Sequence, residues 1–333
     1  MSTKPLTRIA IVGASGRIGG AFARALLQTG QHTVTALTRP GGASNASLPA
    51  GVVPVEVDYD SESALVAALQ GQQFLAITLS VSAPPDLHAR ICAAAGKAGV
   101  KYVMPNAYGF PSTLPGVGEK ENGGNDQYAD LVRQRVADVE ANGVSKPLLL
   151  ACGLWYEWSL ACGEQWFGFT IKDRKVTMFD DGKRVLTVST WDQCGRALAG
   201  LLSLPETAAE GPSVEGFAGK ELLISSFRVS QRDMLNSLHR VLGTTDEDWE
   251  IRYETTEKRI RDGAEELKAG DFRGFAKGLY GRAFSPANKL ADFAGSHETH
   301  NEILGLSGED LDEATKRTVD MVESGWTPFP QGH

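Results

Sequence analysis

The residues best suited to chemistry begin with a glycine-rich turn, Gly13-Ala14-Ser15-Gly16-Arg17-Ile18-Gly19. A short apolar run, Arg8 to Val12, precedes it, and an apolar helical run, Gly20 to Thr29, follows and stops at Gly30. In that setting Gly13 permits a tight turn, Gly16 lets the backbone approach a pyrophosphate, and Gly19 lets helix and strand pack closely. The helix N-terminus then offers N–H groups and partial positive charge to the phosphates. The spacing G-x-x-G-x-x-G by itself describes only a turn. Between a strand and a helix it predicts a nucleotide cradle.

Two cations refine that expectation. Arg39 follows the next apolar run, Thr33 to Thr38, where an acidic residue would bond the ribose 2′-hydroxyl of NAD and an arginine accommodates the 2′-phosphate of NADP. Arg17 stands within the turn itself. Two solvated surface arginines are the plain alternative; the pattern favours NADP(H). Further cofactor contacts are expected where later strands end, at Asp58, at Leu79 and Ser80, and at Pro105 and Asn106.

Elements must hold these residues at one edge. Val52 to Val57, Phe74 to Leu79, Lys101 to Met104 and Leu148 to Cys152 read as further strands. Helical runs fall between them, at about Ser61, from Pro85 to Gly99, and from Asn125 to Asn142. This alternation predicts an α/β, Rossmann-type doubly wound parallel sheet with right-handed crossovers. Gly41 to Gly51 and Pro111 to Gly124 have the composition of loops. The division expected is a cofactor domain over 1–152 and a smaller α+β substrate region over 153–333, packed against it, with some strands free to return to the first sheet. In that region Asp180-Asp181-Gly182 predicts a hairpin between Arg174–Phe179 and Arg184–Ser189. Helices are expected over Trp191–Leu204 and Gln231–Leu242.

A reduced nicotinamide brings its own hydride, so the protein must position a substrate and supply a proton. Short-chain dehydrogenases use Tyr with Lys four residues on, and that pair is absent here. Tyr108 and Tyr128 are the candidate donors, with Arg133 and Asn106 behind them; either tyrosine can equally be a packed aromatic. Trp155, Tyr156, Trp158, Trp166 and Phe167 follow the sixth strand. Core packing accounts for most of that cluster, yet its place in chain order borders the nicotinamide, so Trp155, Tyr156 and Trp158, with Tyr108, are candidate walls of a pocket for a flat apolar substrate.

Other chemistries find little support. His297 and His300 lie in a polar stretch that reads as a solvated turn, the four cysteines lack C-x-x-C spacing, and no G-x-S-x-G elbow is present. No metal is expected. A net charge of −8 gives no nucleic-acid footprint. No apolar run approaches the ~18–20 residues of a membrane helix. The expectation is a cytoplasmic protein, monomer or homodimer, acting on a small molecule.

The turn GASGRIG, Arg39 and VKYVMPN resemble the NmrA-like and isoflavone-reductase-like branch of the atypical short-chain dehydrogenases. LWYEWSLA, VTMFDDGKR, STWDQCGRALAGLLSLP and ISSFRVSQRDML resemble fungal CipA-type oxidoreductases of that branch. The resemblance spans Arg8 to about Lys316. It implies an NADP-binding Rossmann domain and NADPH-dependent reduction of a C=C or C=O bond in phenolic or other aromatic secondary metabolites. The plant reductases of the branch place a Lys on the helix that here spans Asn125 to Asn142, and this helix has none; Lys120 lies before it. NmrA itself is a dinucleotide-binding regulator, so the resemblance also implies the alternative of a non-catalytic NADP(H) sensor.

Overall fold

The computed structural model describes residues 4–41, 47–114 and 127–327. Strand β1 (Arg8–Val12) leads through the glycine turn into α1 (Arg17–Gln28), then β2 (Thr33–Thr38) and β3 (Val53–Glu56). Next come α2 (Glu62–Leu69), β4 (Phe74–Ile77), α3 (Leu87–Lys97), β5 (Tyr102–Met104) and β6 (Tyr108–Gly109). Helix α4 (Gln127–Glu140), β7 (Lys146–Pro147) and β8 (Leu149–Ala151) follow. The main sheet runs β3-β2-β1-β4-β5-β7, all parallel. That is the strand order of a doubly wound dinucleotide-binding fold, as the alternation of elements predicts.

Alternation along the strands builds a core on each face. Ile9, Ile11, Phe74, Ala76, Tyr102 and Met104 face one cluster with Phe22 and Leu26 of α1. Ala10, Val12, Leu75, Ile77 and Val103 face the other, with Leu65 and Leu69 of α2 and Ile91 of α3. Both faces are covered, which is why these strands read as continuous apolar runs rather than alternating ones.

The second half opens with β9 (Leu154–Trp155) and α5 (Tyr156–Ala161), then β10 (Phe169–Thr170), β11 (Lys175–Phe179) and β12 (Leu186–Ser189). Then come α6 (Trp191–Ser203), α7 (Val214–Phe217), β13 (Glu221–Leu223), β14 (Phe227–Val229) and α8 (Gln231–Leu242). The chain finishes with β15 (Glu250–Glu254), α9 (Thr256–Lys268), α10 (Arg273–Phe284), α11 (Phe293–Ser296) and α12 (Leu311–Glu323). Strand β13 pairs with β8, and Cys194, Leu198 and Leu201 of α6 join Phe22 and Leu26 in one cluster. A second core gathers Tyr156, Phe167, Phe169, Phe179, Leu235 and Phe284.

Two local expectations are corrected. Strands β11 and β12 do not pair with one another: β11 lies between β10 and β15, and β12 between β14 and β9. The Asp-Gly turn does form, but Asp180 adopts a positive φ of 53° and its carboxylate takes the N–H and hydroxyl of Thr256. Tertiary bonds thus turn the chain towards α9 rather than back along itself. The sixth strand of the main sheet is Lys146–Pro147, whereas Leu149–Ala151 pairs with β6 and β13. Much of the loop read over Pro111–Gly124, Lys120 and the first residues of the helix expected from Asn125 lie outside the described residues.

Candidate active site

The glycine turn closes the carboxyl end of β1 against β4. A side chain on Gly13, at φ 84°, would overlap the Thr78 carbonyl; one on Gly19 would meet Thr78 Oγ1 at 2.6 Å. Thr78 Oγ1 in turn donates to the Val12 carbonyl at 2.7 Å. Gly16 differs, since a Cβ there would have only the Gly13 carbonyl nearby, at 3.2 Å. Its outer side is open. Gly16 caps α1 without any side-chain bond, and the first turn of α1 carries no acidic residue. The first backbone bond of α1 runs from Gly20 N–H to Gly16 carbonyl at 2.8 Å. The N–H groups of Arg17, Ile18 and Gly19 come before it and lack helical partners. Ser15 sits half-buried in the turn. This cradle fits a diphosphate: uncapped donors, a helix dipole and no competing carboxylate.

The remaining cofactor candidates gather at the same carboxyl edge. Arg39 is exposed just past β2, near enough to Tyr59 to act on its phenol electrostatically. Asp58 is exposed and takes the Asp60 N–H at 3.0 Å. Leu79 and Asn106 clasp the ends of β4 and β5: Leu79 N–H donates to Asn106 Oδ1 at 3.1 Å, and Asn106 Nδ2 to the Leu79 carbonyl at 3.3 Å. Ser80 is exposed and bonded to Ser82, while Pro105 is buried. Behind the clasp is a residue pair that spacing alone does not single out. His88, fully buried, has Nδ1 2.8 Å from Asp138 Oδ2, and its Nε2 accepts the Asn106 N–H at 3.3 Å. Burial holds the His88 pKa below its ordinary value, which suits a neutral ring donating to Asp138 and accepting from Asn106.

The candidate proton donors are dispersed. Tyr108 donates its hydroxyl to the Ile77 carbonyl at 2.9 Å, and burial pushes its pKa well up. Its ring is wedged between Phe22 and Trp155, with centroids 5.7 and 6.5 Å away. The ring end of Tyr128 lies over Gly109. Arg133 is exposed on α4 and paired with Asp130. The substrate-wall candidates divide as well. Trp155 and Trp158 are half-buried, whereas Tyr156 is fully buried in the second core with its hydroxyl 2.6 Å from Thr315 Oγ1.

The fold adds residues that lie far apart in the chain. The Arg17 guanidinium stands 4.3 Å from the ring centre of Trp326 and 5.1 Å from that of Trp191. Trp326 in turn meets Trp158 edge-on at 5.5 Å. Glu157, between Trp155 and Trp158, is 3 % exposed, and burial pushes its carboxyl up to about 7. A lone carboxylate inside the aromatic run LWYEWSLA is the signal that could have marked it in the sequence. No group of three or more His, Cys, Asp or Glu that could hold a metal occurs among the described residues. His300 instead pairs with Leu223 through both its ring and its backbone. No helix is long and apolar enough to cross a membrane among the described residues.

Comparisons with known proteins agree with this geometry. A family model described as NAD(P)H-binding matches residues 13–144, from the first glycine of the cradle to just past α4. Oxidoreductase aprR of Aspergillus flavus is 25% identical over 313 residues, covering 92% of this chain and 96% of that one. The NmrA-like family domain-containing oxidoreductase FrzB of Cladobotryum is 35% identical over 108 residues, 29% of this chain and 32% of its own. An isoflavone reductase shares the fold at 17% identity with a TM-score of 0.69, covering 94% of this chain and 99% of its own. With its uncapped cradle and its doubly wound sheet, the chain carries an NAD(P)H-binding domain over residues 13–144 and is similar to NmrA-like and isoflavone-reductase-like oxidoreductases.

Proposed function

We propose that this chain is an NADPH-dependent reductase of an apolar aromatic or phenolic small molecule, reducing a C=C or C=O bond by hydride transfer. One observation carries the reading: an uncapped, acid-free cradle faces the same edge as an exposed cation, Arg39, at the end of β2. That is the arrangement that accommodates a 2′-phosphate rather than a 2′-hydroxyl. Residues 1–152 hold the cofactor, through the cradle, Arg39, Asp58, Leu79, Ser80, Pro105 and Asn106. Residues 153–333 bring Trp155 and Trp158 towards it as walls for a flat substrate, with Tyr108 between. The isoflavone reductase of like fold has an aromatic substrate in its name, which supports the substrate class.

The test is consumption of NADPH with a panel of isoflavones, quinones and aryl ketones. Turnover with NADPH well above that with NADH is the expected result, and inertness across the panel overturns it. A second reading, an NADP(H)-sensing regulator, is favoured by the engaged hydroxyl of Tyr108 and by an α4 without lysine. It predicts comparable affinities for NADP+ and NADPH and no hydride transfer.

A further inference from the structure

The buried polar atoms without a hydrogen-bond partner among the described residues include Trp155 Nε1, Ser189 Oγ and Glu157 Oε2. These three sit on neighbouring elements. Strands β9 and β12 run parallel with Trp155 opposite Ser189, and Glu157 lies in the first turn of α5, two residues past Trp155. Leaving such groups unpaired costs about 1–3 kcal/mol each, so natural interiors rarely do so. Two are donors and the third is a carboxyl oxygen, which is the set that would complete itself around an oxygen-bearing ligand. The position is next to the cofactor edge, because the Trp155 ring packs on Tyr108, whose hydroxyl is tied to the Ile77 carbonyl just before Thr78 and the cradle.

The charged and titratable groups around Glu157 are few. From α12, Arg317 reaches Glu157 Oε1 at 3.3 Å. From the segment before α12, Glu309 opposes ionisation of Glu157, although Glu309 is itself paired with Arg196 at 2.8 Å and takes the Thr190 hydroxyl. From α6, Cys194 lies within electrostatic reach. Tyr156, its neighbour on α5, directs its hydroxyl to Thr315.

We propose that Glu157 is the proton source of this site, delivering to a carbonyl oxygen held by Trp155 Nε1 and Ser189 Oγ. The proposal rests on the reductase reading. A reduced nicotinamide bound at the cradle would supply the hydride, its C4–H bond breaking as a C–H bond forms at the carbonyl carbon and the C=O π pair moves to oxygen. The Glu157 O–H bond breaks as an O–H bond forms on that oxygen. Hydroxyl product, oxidised cofactor and Glu157 carboxylate result, and solvent returns the proton. Glu157 thereby fills the role for which no Tyr-Lys pair or α4 lysine exists.

The test compares the full chain with Glu157→Gln and Glu157→Asp. Infrared spectra of the protein without substrate should contain a protonated-carboxyl band that titrates near neutrality and is missing from Glu157→Gln. With NADPH and menadione or acetophenone, Glu157→Gln should lose about 100-fold or more in kcat, the usual scale for a general acid. Its KM and NADPH affinity should stay within about twofold, and the fall in rate above neutral pH should vanish. Glu157→Asp should regain part of the rate and the pH dependence. A band unchanged in Glu157→Gln, or an active wild type whose rate and pH profile Glu157→Gln leaves alone, overturns the role of Glu157 only. A wild type inert towards every carbonyl probe overturns the reductase reading and this proposal with it.

Discussion

Arg39 and Glu157 are single side chains whose surroundings set their chemistry in opposite ways. Arg39 is exposed, so its worth lies in a partner that comes from outside. Arg39→Ala should weaken NADP+ binding by ~1–3 kcal/mol, the range for losing a charge-assisted hydrogen bond, and leave NAD+ nearly unchanged. Calorimetric titration with both nucleotides decides it; equal losses would remove Arg39 from the 2′-phosphate. Glu157 is 3 % exposed, and burial raises its carboxyl from 4.5 to about 7. Between those values the folded chain binds a proton that the unfolded chain has released. Stability contributed by this residue therefore falls as pH rises, and the deficit is complete above about 7. Glu157→Gln removes that deficit, so its stability relative to wild type should improve from pH 5 to pH 8 by up to about 3 kcal/mol. Denaturant titrations at the two pH values measure this, and a difference that does not change with pH would mean an ordinary ionised carboxylate.

At the scale of elements, glycine does two different jobs. In the cradle it lets β1 and α1 close on Thr78, as its spacing in the sequence suggests. In α9 and α10 it lets two helices touch backbone to backbone. A Cβ on Gly274 would come within 2.6 Å of the Leu267 nitrogen and 2.8 Å of Glu266 Cβ. Gly274, Gly278 and Gly281 all lie within α10 although glycine is disfavoured in a helix interior; tertiary contact overrides that preference. Gly274→Ala should cost ~1–3 kcal/mol by overpacking while leaving nucleotide affinity intact, since α10 belongs to the second core. An unchanged denaturation midpoint would show that the helices part easily.

Across the whole molecule, the two halves of the chain share a core. Phe22 and Leu26 pack with Cys194, Leu198 and Leu201, and β13 extends the pairing of β8. A fragment of residues 1–152 loses both partners and bares the outer face of α1. It should therefore lack a cooperative thermal transition and bind NADPH at least tenfold more weakly than the full chain. A fragment that melts cooperatively with full affinity would show that the cofactor half folds unaided. The charged hollow lined by Arg8, Gln73, Lys101 and Glu206 lies at the opposite, amino edge of the sheet and takes no part in this site.

Local sequence determined much of this protein. Apolar runs buried on both faces dictate a parallel sheet, and the glycine turn between β1 and α1 dictates a phosphate cradle, because both depend on residues near one another in the chain. The Asp180-Gly182 turn was legible too, but its strands were not paired as expected, since the bonds that redirect them come from Thr256. The site above the cradle was decided only by the fold. Arg17 meets Trp191 and Trp326, Asn106 rests on His88 and Asp138, and Glu157 lies beside Arg317 and Glu309. A carboxyl's proton affinity depends on what surrounds it in space, and for Glu157 the charged neighbours Arg317 and Glu309 lie 160 and 152 residues further along the chain.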